Sequence, residues 1–466
     1  MKNEENIYTG TLIYKEIEFT FVFDQKQLKL IPPKEKVTEV GLWFMKECKK
    51  GCYIFGDPVY IEQNLCGMAN ETGHNIIFVP TKDQVGHINS NLIINIDYYI
   101  INKYDRETID RIAIKGPEIT HIFPTTIALN KIDWKDNGEI GVTTKTFDET
   151  TTEKEKFNID DKEVLIYFGI SVSGSYKTGH APINLNSTMY VEFVATDDYE
   201  FVVKLINICR KFIQYLCFRK NIVFSGIDLA SPYKGGLHED FAKLHEVKER
   251  IVEDYPNEKG KYIKYEYIKG FIGKIMDDIV CGNLYLKHLP ESYELGKHID
   301  AGEFVMITAG FEWEFKRNYP IGIKKSNDTL NAEKHVTTLI EKLISTNSGK
   351  SKKILKFLKK LIVSDDLKSK IIEYGKDYGD ISDIFGNHLY NLNDEVLNYT
   401  DMGERLSEQR NNFAHGNIDR EFIGLSLLDL IYMKIIIYIL QLKFYGIDDM
   451  NIKHAINELF SRSISI

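Results

Sequence analysis

The stretch LSLLDLIYMKIIIYILQL, residues 425–442, is the most apolar part of this 466-residue chain. A membrane-spanning helix needs about 20 mostly apolar residues without charges near its centre. Asp429 and Lys434 interrupt the stretch, which favours a helix buried in a protein core over one that crosses a membrane. We therefore expect a long core helix over residues 419–445, and no membrane partner.

The residues before this helix extend the helical region. After a break at residues 292–298, the pattern predicts an almost entirely helical bundle over residues 296–466. The predicted helices cover residues 302–318, 332–345, 352–362, 366–374, 393–414 and 419–445.

The first part of the chain has the two-residue period of β-strands. Ile17, Phe19, Phe21 and Phe23 alternate with other residues, and turn-rich breaks separate such runs up to about residue 195. From Tyr199 the apolar residues recur at three- and four-residue spacing, which predicts an amphipathic helix, and a further helix is predicted at residues 265–280. The expected fold class is α+β, with a mainly antiparallel β domain and flanking helices before an all-α bundle. The predicted domains are a β-rich region at 1–228, a helical connecting region at 229–295 and the bundle at 296–466.

The charge of the chain excludes a histone-like or ribosomal polycation. Its formal charge is -9, with 59 basic and 68 acidic side chains. The excess of acid lies mostly before residue 301, so the C-terminal part is the better candidate for contact with a polyanion. The first residues, MKNEENIYTG, lack a secretory signal, and the six cysteines are therefore expected to be reduced in a cytoplasmic protein.

Three patterns resemble known catalytic motifs but depart from them. GSYKTG, residues 174–179, has the glycine spacing of a phosphate-binding loop, but His180 and Ala181 replace the required lysine and hydroxyl residue, so a plain loop is expected. His238 and His245 are seven residues apart rather than four, and we interpret them as sharing a helical face. Asp240, Glu246 and Lys248 have the spacing of a magnesium nuclease, on a segment that could be helical.

A zinc site is a further hypothesis. Cys48, Cys52, Cys66 and His74 are suitable ligands, although their spacing departs from the usual pairs and small buried cysteines are common. The sequence KSKKILKFLKK, residues 350–360, is the most basic segment. It fits either a solvated face of a packed helix or a contact with an RNA backbone. The candidate RNA-binding residues are Lys352, Lys353, Lys356, Lys359 and Lys360.

The segment EQRNNFAHG, residues 408–416, carries the pattern with the most chemical content. Arg410 is followed directly by Asn411 and, after four intervening residues, by His415. This pattern resembles the arginine–histidine motif of HEPN domains, particularly of the ApeA-type HEPN proteins of prokaryotic anti-phage defence. The motif ends one predicted helix, a glycine follows, and the long apolar helix comes next.

A second element of the resemblance lies upstream. AGFEW, residues 309–313, resembles the glutamate-bearing first helix of ApeA-type HEPN domains. The resemblance implies that Glu312 supports the site, although a buried helix-packing role is also open. The resemblance covers residues 296–466. Before residue 296 it consists only of a similar arrangement, in which a β-rich domain is followed by a few helices.

Arginine and histidine together suit RNA cleavage without a metal or other cofactor. A guanidinium holds a phosphate through charge-assisted bonds, and an imidazole exchanges protons near neutral pH. By resemblance, His415 transfers protons, Arg410 stabilises the phosphate and the transition state, and Asn411 orients one of them or the scissile phosphate. Attack by a 2′-hydroxyl should leave a 2′,3′-cyclic phosphate and a 5′-hydroxyl.

The spacing of the motif adds a geometric condition. Residues five apart on a helix differ by about 140° in direction, so Arg410 and His415 do not converge on one continuous helix. Either the helix ends at Ala414, with Gly416 as a C-cap that leaves His415 at the negative helix end, or two chains share the site. The family pairs its HEPN domains about a two-fold axis, so the resemblance implies a homodimer with a composite cleft.

The leading hypothesis is an endoribonuclease, acting on RNA and possibly tRNA, that serves abortive-infection defence. The β-rich part would sense a phage-derived trigger or restrain the nuclease. The alternative is a non-catalytic HEPN dimer that binds RNA, a nucleotide or a protein, and Arg410 and His415 could also merely cap a helix.

Overall fold

A computed structural model describes residues 7–50, 52–134, 138, 140–175, 178, 183–248, 261–363, 365–414, 422 and 424–466. The side chains of Cys48, Cys52, Tyr53, Ile140, Leu361 and Val363 lie outside this description. The chain divides into two compact units. The β unit comprises Met1–Leu216, Asn221–Asp254 and Gly270–Val280, and the helical unit comprises Cys217–Lys220, Tyr255–Lys269 and Cys281–Ile466. This confirms the α+β class.

The β unit is built from antiparallel strands. The strands are β1 Tyr8–Tyr14, β2 Ile17–Phe23, β3 Gln27–Ile31, β4 Met45–Lys49, β5 Cys52–Phe55, β6 Leu65–Ala69, β7 Asn75–Pro80, β8 Gly86–Ile88, β9 Asn91–Asn102, β10 Ile109–Lys115, β11 Leu129–Trp134, β12 Ile140–Thr144, β13 Glu155–Ile159, β14 Lys162–Gly174, β15 Ile183–Thr196, β16 Gly226–Tyr233 and β17 Leu237–Glu246. Every pairing between described strands is antiparallel, as the sequence predicts.

Six strands close into a barrel. The order β9-β3-β2-β1-β6-β7 returns to β9 through the β7–β9 pairing. The alternating residues Ile17, Phe19, Phe21 and Phe23 are at most 3% exposed and fill its interior, which confirms the prediction from their spacing. From β9 the sheet continues through β17, β16, β10, β15, β14 and β13.

Helices occur in both units. They are α1 Val37–Leu42, α2 Pro117–Ile122, α3 Phe147–Thr150, α4 Tyr199–Cys217, α5 Tyr265–Ile268, α6 Ile272–Cys281, α7 Ala301–Asn318, α8 Asn327–Thr346, α9 Gly349–Val363, α10 Leu367–Asn391, α11 Tyr399–Ala414, α12 Ser426–Tyr445 and α13 Asp449–Leu459. The predicted apolar stripe of α4 is buried.

Part of the predicted helical connecting region at 229–295 is wrong. Residues 226–246 form the antiparallel pair β16 and β17. His238 and His245 therefore lie on a strand and not on a helical face. His238 Nδ1 is 2.9 Å from Asp110 Oδ2, whereas the His245 ring stacks on Tyr99. The helix predicted at 265–280 is interrupted at Gly270, whose φ is 81°, and divides into α5 and α6.

Helix α10 is longer than the predicted helix at 366–374. It continues to Asn391 and includes several glycines beyond the predicted end. Gly386 has a tertiary reason: a Cβ there would lie 2.7 Å from Leu397 and 2.8 Å from the Tyr432 ring. The glycine therefore permits a close contact between helices instead of ending one. Helix α11 starts at Tyr399, later than predicted, where Asn398 Oδ1 accepts the backbone N–H groups of Thr400 and Asp401.

Helix α12 is the core of the helical unit, as its composition predicts. Residues 432–442 are buried without a break. No helix in the described part of the chain is both long enough and apolar enough to cross a membrane. Helix α12 ends at Gly446, whose φ of 88° lies in the left-handed region that a C-terminal helix cap requires.

Three buried polar residues of α12 each bind a different neighbour. Asp429 accepts two hydrogen bonds from Arg405 of α11, at 2.7 and 2.8 Å, and one from the Tyr390 hydroxyl. Lys434 Nζ donates to Glu303 of α7 at 3.0 Å. Gln441 Nε2 donates to Glu314 of α7 at 3.1 Å. Because a buried polar group without a partner is costly, these contacts fix the register of α7 and α11 against α12.

Glu314 offers a test of this register, because it is fully buried and serves three donors. It accepts from the Tyr285 backbone N–H at 2.9 Å, from Gln441, and from Arg317 at 2.7 Å. Glu314→Ala should lower the free energy of unfolding by about 3–5 kcal/mol, since it leaves buried donors unsatisfied. The exposed Glu341, which pairs with Lys359, is the control: Glu341→Ala should cost below about 1 kcal/mol. Urea unfolding followed by circular dichroism measures both, and equal losses would contradict this role of Glu314.

The same residue predicts a pH dependence. Burial raises the pKa of Glu314 above its ordinary value, although Arg317 and the hydrogen bonds oppose this. A raised folded pKa means that ionisation costs stability as pH rises through it. Wild type should therefore lose stability relative to Glu314→Gln as the pH rises above about 4, the ordinary range of a glutamate pKa. A difference that stays constant over this range would show that burial does not control the carboxylate.

Candidate functional site

Helix α11 carries Arg410 and Asn411 outside its buried stripe. Its buried stripe consists of Met402, Leu406, Gln409 and Phe413, at helical spacing. Arg410 therefore lies at the edge of this stripe, with its side chain 42% exposed, and Asn411 is exposed. The helix ends at Ala414, and His415 and Gly416 lie outside the described residues.

The structure brings Arg410 together with Glu312. Arg410 Nη1 is 2.8 Å from Glu312 Oε2, which joins α11 to α7. Glu312 is 24% exposed and lies off the buried stripe of α7, so it lines the surface beside the motif. The buried packing role that sequence reasoning left open for Glu312 belongs to Glu314 instead.

A third residue, Lys370 in the first turn of α10, completes this cluster. Its Nζ donates to the other oxygen of Glu312, Oε1, at 2.8 Å. Sequence reasoning missed Lys370, because the contact joins residues 58 apart and lies outside any motif. The only local signal is the helix start beside it, where Asp366 Oδ1 accepts the Ser369 N–H at 2.8 Å.

A glycine allows α10 and α11 to approach closely near this cluster. A Cβ at Gly403 would lie 2.9 Å from the Lys368 Cα. Any larger residue at position 403 would push apart the two helices that carry Lys370 and Arg410. The position of Lys370 beside Glu312 therefore depends on a residue two turns before Arg410 on α11.

The cluster has two cations and one carboxylate. Glu312 divides its two oxygens between Arg410 and Lys370, so this group of three carries a net positive charge. The partly exposed guanidinium can exchange its carboxylate contact for a phosphate, to which arginine binds through paired hydrogen bonds. The arrangement is therefore suited to holding a phosphate group against the surface of α11.

The five candidate RNA-binding lysines lie on α9 and differ in exposure. Lys352 and Lys359 on α9 are half-buried, whereas Lys353, Lys356 and Lys360 are exposed. Lys359 pairs with Glu341. RNA contact by this lysine-rich helix stays a prediction.

The magnesium-nuclease set lies on and just after strand β17, not on a helix. Asp240 Oδ1 is 3.2 Å from Arg111, and Glu246 Oε2 is 2.8 Å from Arg210, so each carboxylate pairs with a different arginine. Gly174 ends β14 and pairs with Ile183 of β15. Tyr176, Lys177 and Gly179 lie outside the described residues, so the plain loop stays a prediction.

The structure describes the side chains of only two of the four candidate zinc ligands. Cys66 lies on β6, His74 directly precedes β7, and the Cys48 and Cys52 side chains are outside the described residues. Among the described side chains, three or more His, Cys, Asp or Glu residues nowhere come together as a metal site. The four-ligand zinc set stays a prediction.

Comparison with protein-family models gave no match, and searches of curated proteins and of solved structures gave no significant match either.

Two arginines of α11 provide a matched test of whether Arg410 serves stability. Arg405 pairs with the fully buried Asp429, so Arg405→Ala should cost about 3–5 kcal/mol of unfolding free energy. The Arg410–Glu312 pair is partly solvated, so Arg410→Ala should cost below about 1 kcal/mol. Urea unfolding of the two variants measures the difference. Comparable losses would make Arg410 a structural residue and weaken any functional role for it.

Proposed function

We propose that the protein is a metal-independent endoribonuclease of the HEPN class, which cleaves RNA in abortive-infection defence against phage. One observation carries the proposal: Arg410 is partly exposed and contacts Glu312, which the resemblance selects from a separate segment. Two residues chosen from separate sequence patterns, 98 positions apart by their numbers, thus form one ion pair. Lys370 adds a cation where an RNA phosphate would bind.

The chemistry needs one base, one acid and a phosphate clamp. A 2′-hydroxyl loses its proton to a base and attacks the adjacent phosphorus, and the bond to the 5′-oxygen breaks. The departing oxygen receives a proton, which leaves a 2′,3′-cyclic phosphate and a 5′-hydroxyl. His415 is the proposed proton-transfer residue, Arg410 stabilises the charge on the phosphate, and Asn411 orients one of these groups.

Glu312 has a positioning role in this scheme. Its carboxylate holds the guanidinium of Arg410 at a fixed place on the surface, while Lys370 offsets the negative charge that this introduces. An incoming phosphate would replace one guanidinium contact. The N-terminal β unit is proposed to sense a phage-derived trigger or to restrain the nuclease.

A cleavage assay tests the proposal. Wild type, His415→Ala and Arg410→Ala would be incubated with total RNA or tRNA in EDTA, with and without phage extract as a source of triggers. Wild type should cleave, and each variant should lose about 100-fold or more in rate, because each removes a group that acts in the transition state. His388→Ala, a half-buried histidine of α10, is the control and should retain activity.

Two outcomes would contradict the proposal. Equal and absent cleavage by all four proteins under every condition would favour a non-catalytic binding module. Cleavage that needs magnesium and survives His415→Ala would shift attention to Asp240 and Glu246.

The composite cleft of a homodimer needs a separate test. The spacing of Arg410 and His415 supports a site that two chains share. Heterodimers of an Arg410→Ala chain with a His415→Ala chain would be isolated through two different affinity tags. If each site takes Arg410 from one chain and His415 from the other, one of the two sites remains intact. The heterodimer should then recover about half of the wild-type rate. An isolated heterodimer no more active than its parents, or a monomeric wild type, would contradict the shared site.

A further inference from the structure

The helical unit contains a cavity of about 490 Å³ whose described lining includes neither Arg410 nor Glu312. Its size falls in the usual range of about 300–1,000 Å³ for small-molecule sites. One wall comes from α12, through Leu427, Ile431 and Lys434. The others come from the chain after α4, the segment before α7 and the residues that follow α13.

Aromatic rings form the apolar part of this cavity. Phe218, Tyr293, Phe422 and Phe460 line it. The Phe218 and Phe460 rings are 5.2 Å apart, and Tyr438 packs against both from the core side. A planar ring would find stacking or edge contacts here.

The charged side chains that line the cavity are all basic. They are Arg219, Lys261, Lys297, Lys434 and Arg462, and no Asp or Glu is among the described lining residues. Two of these cations pair with carboxylates outside the lining, since Glu294 lies 2.7 Å from Lys297 and Glu303 lies 3.0 Å from Lys434. The cavity is therefore suited to an anion.

Arg462 is the lining residue that most strongly indicates an anionic ligand. Its Nε is buried and has no hydrogen-bond partner. Burial lowers the pKa of Arg462, yet a guanidinium stays protonated at neutral pH. A buried charged donor without a partner is costly, and a ligand anion would relieve that cost.

The backbone around the cavity is strained. Phe218, Lys261 and Ser461 have φ values of 50°, 86° and 50°, a region that residues other than glycine rarely adopt. All three line the cavity. Such strain persists where the surrounding structure enforces it, and it concentrates at ligand sites.

We propose that this cavity binds a small phosphorylated ligand with an aromatic ring, that is, a nucleotide. The phosphate contacts Arg462 and Lys261, and the base lies among the phenylalanine rings. The volume of about 490 Å³ suits a single nucleotide better than an RNA chain. This binding goes beyond the proposed RNA cleavage and does not depend on it.

Phe422 connects the cavity to the motif helix. Its ring lies 5.7 Å from the Phe413 ring, edge to face, and both rings pack on Phe304. Phe413 follows Arg410 by less than one helical turn. A ligand in contact with Phe422 would therefore lie against a ring that packs on the end of α11.

Calorimetric titration of the full chain with AMP tests the proposal. Adenosine and pyrophosphate serve as half-ligands, and AMP should bind at least tenfold more tightly than either. Arg462→Gln should weaken AMP binding about tenfold or more, because a charge-assisted hydrogen bond is lost. Lys261→Gln should act in the same direction, which covers the case in which Arg462→Gln fails to fold. Lys376→Gln on α10, an exposed lysine outside the cavity, is the control and should bind AMP like wild type.

Several results would overturn the proposal. They are the absence of saturable AMP binding, equal binding of pyrophosphate and AMP, or equal affinities of the Arg462, Lys261 and Lys376 variants. Tighter binding of a short RNA than of AMP would make the cavity part of an RNA surface instead. Because the titration contains no cleavage step, its result is independent of whether the protein cuts RNA.

Discussion

The ion pair between Asp429 and Arg405 is the contact on which the helical unit most depends. Asp429 is fully buried in the apolar helix α12, and its carboxylate needs partners that the helix itself does not provide. Arg405 and Tyr390 supply them from α11 and α10. Lys434 and Gln441 repeat this arrangement toward α7. A shift of α7 or α11 by one turn would leave a buried polar group unpaired, so the helices have one register.

This register explains why the cluster at the surface forms. Glu303 and Glu314 hold α7 at two points, and Glu312 lies between them on another face of the helix. Arg405 holds α11 five residues before Arg410. The buried contacts thus determine where the exposed ones occur. A charged surface pair alone has too small a net energy to position two helices.

The acidic total of the chain gives little guide to these sites. The overall charge is -9. Nevertheless, Arg410 and Lys370 share a single carboxylate, that of Glu312. The charged residues that line the cavity beside α12 are all basic. Local arrangement, and not net charge, decides which surfaces accept a phosphate. At the surface cluster, Arg410 is partly exposed and can contact a phosphate. In the cavity, Arg462 has a buried Nε without a hydrogen-bond partner and lies near aromatic rings that could contact a base.

Much of the fold could be predicted from local patterns, because those patterns record burial. The alternation of Phe19, Phe21 and Phe23 marks a strand with one buried face, and the charge-interrupted apolar run at 425–442 marks a core helix. Two signals failed. Strands β16 and β17 lacked a clear period, since a bulge shifts their register between Leu229 and Ala230. The helix predicted at 366–374 ended too early, because the tertiary contact that Gly386 permits within the longer α10 is not visible in the local pattern. Glu312 could be selected through the resemblance, but Lys370 could not, since only tertiary structure brings it to Glu312.

The central claim is that Arg410 and its neighbours serve metal-free cleavage of RNA, and the chemistry of the cut ends tests it most directly. Fragments produced in EDTA would be analysed by mass spectrometry for their terminal groups. The account predicts 2′,3′-cyclic phosphate at one end and 5′-hydroxyl at the other, because the 2′-hydroxyl is the nucleophile. Fragments with 3′-hydroxyl and 5′-phosphate ends would show that water attacked the phosphate instead, and would contradict the account.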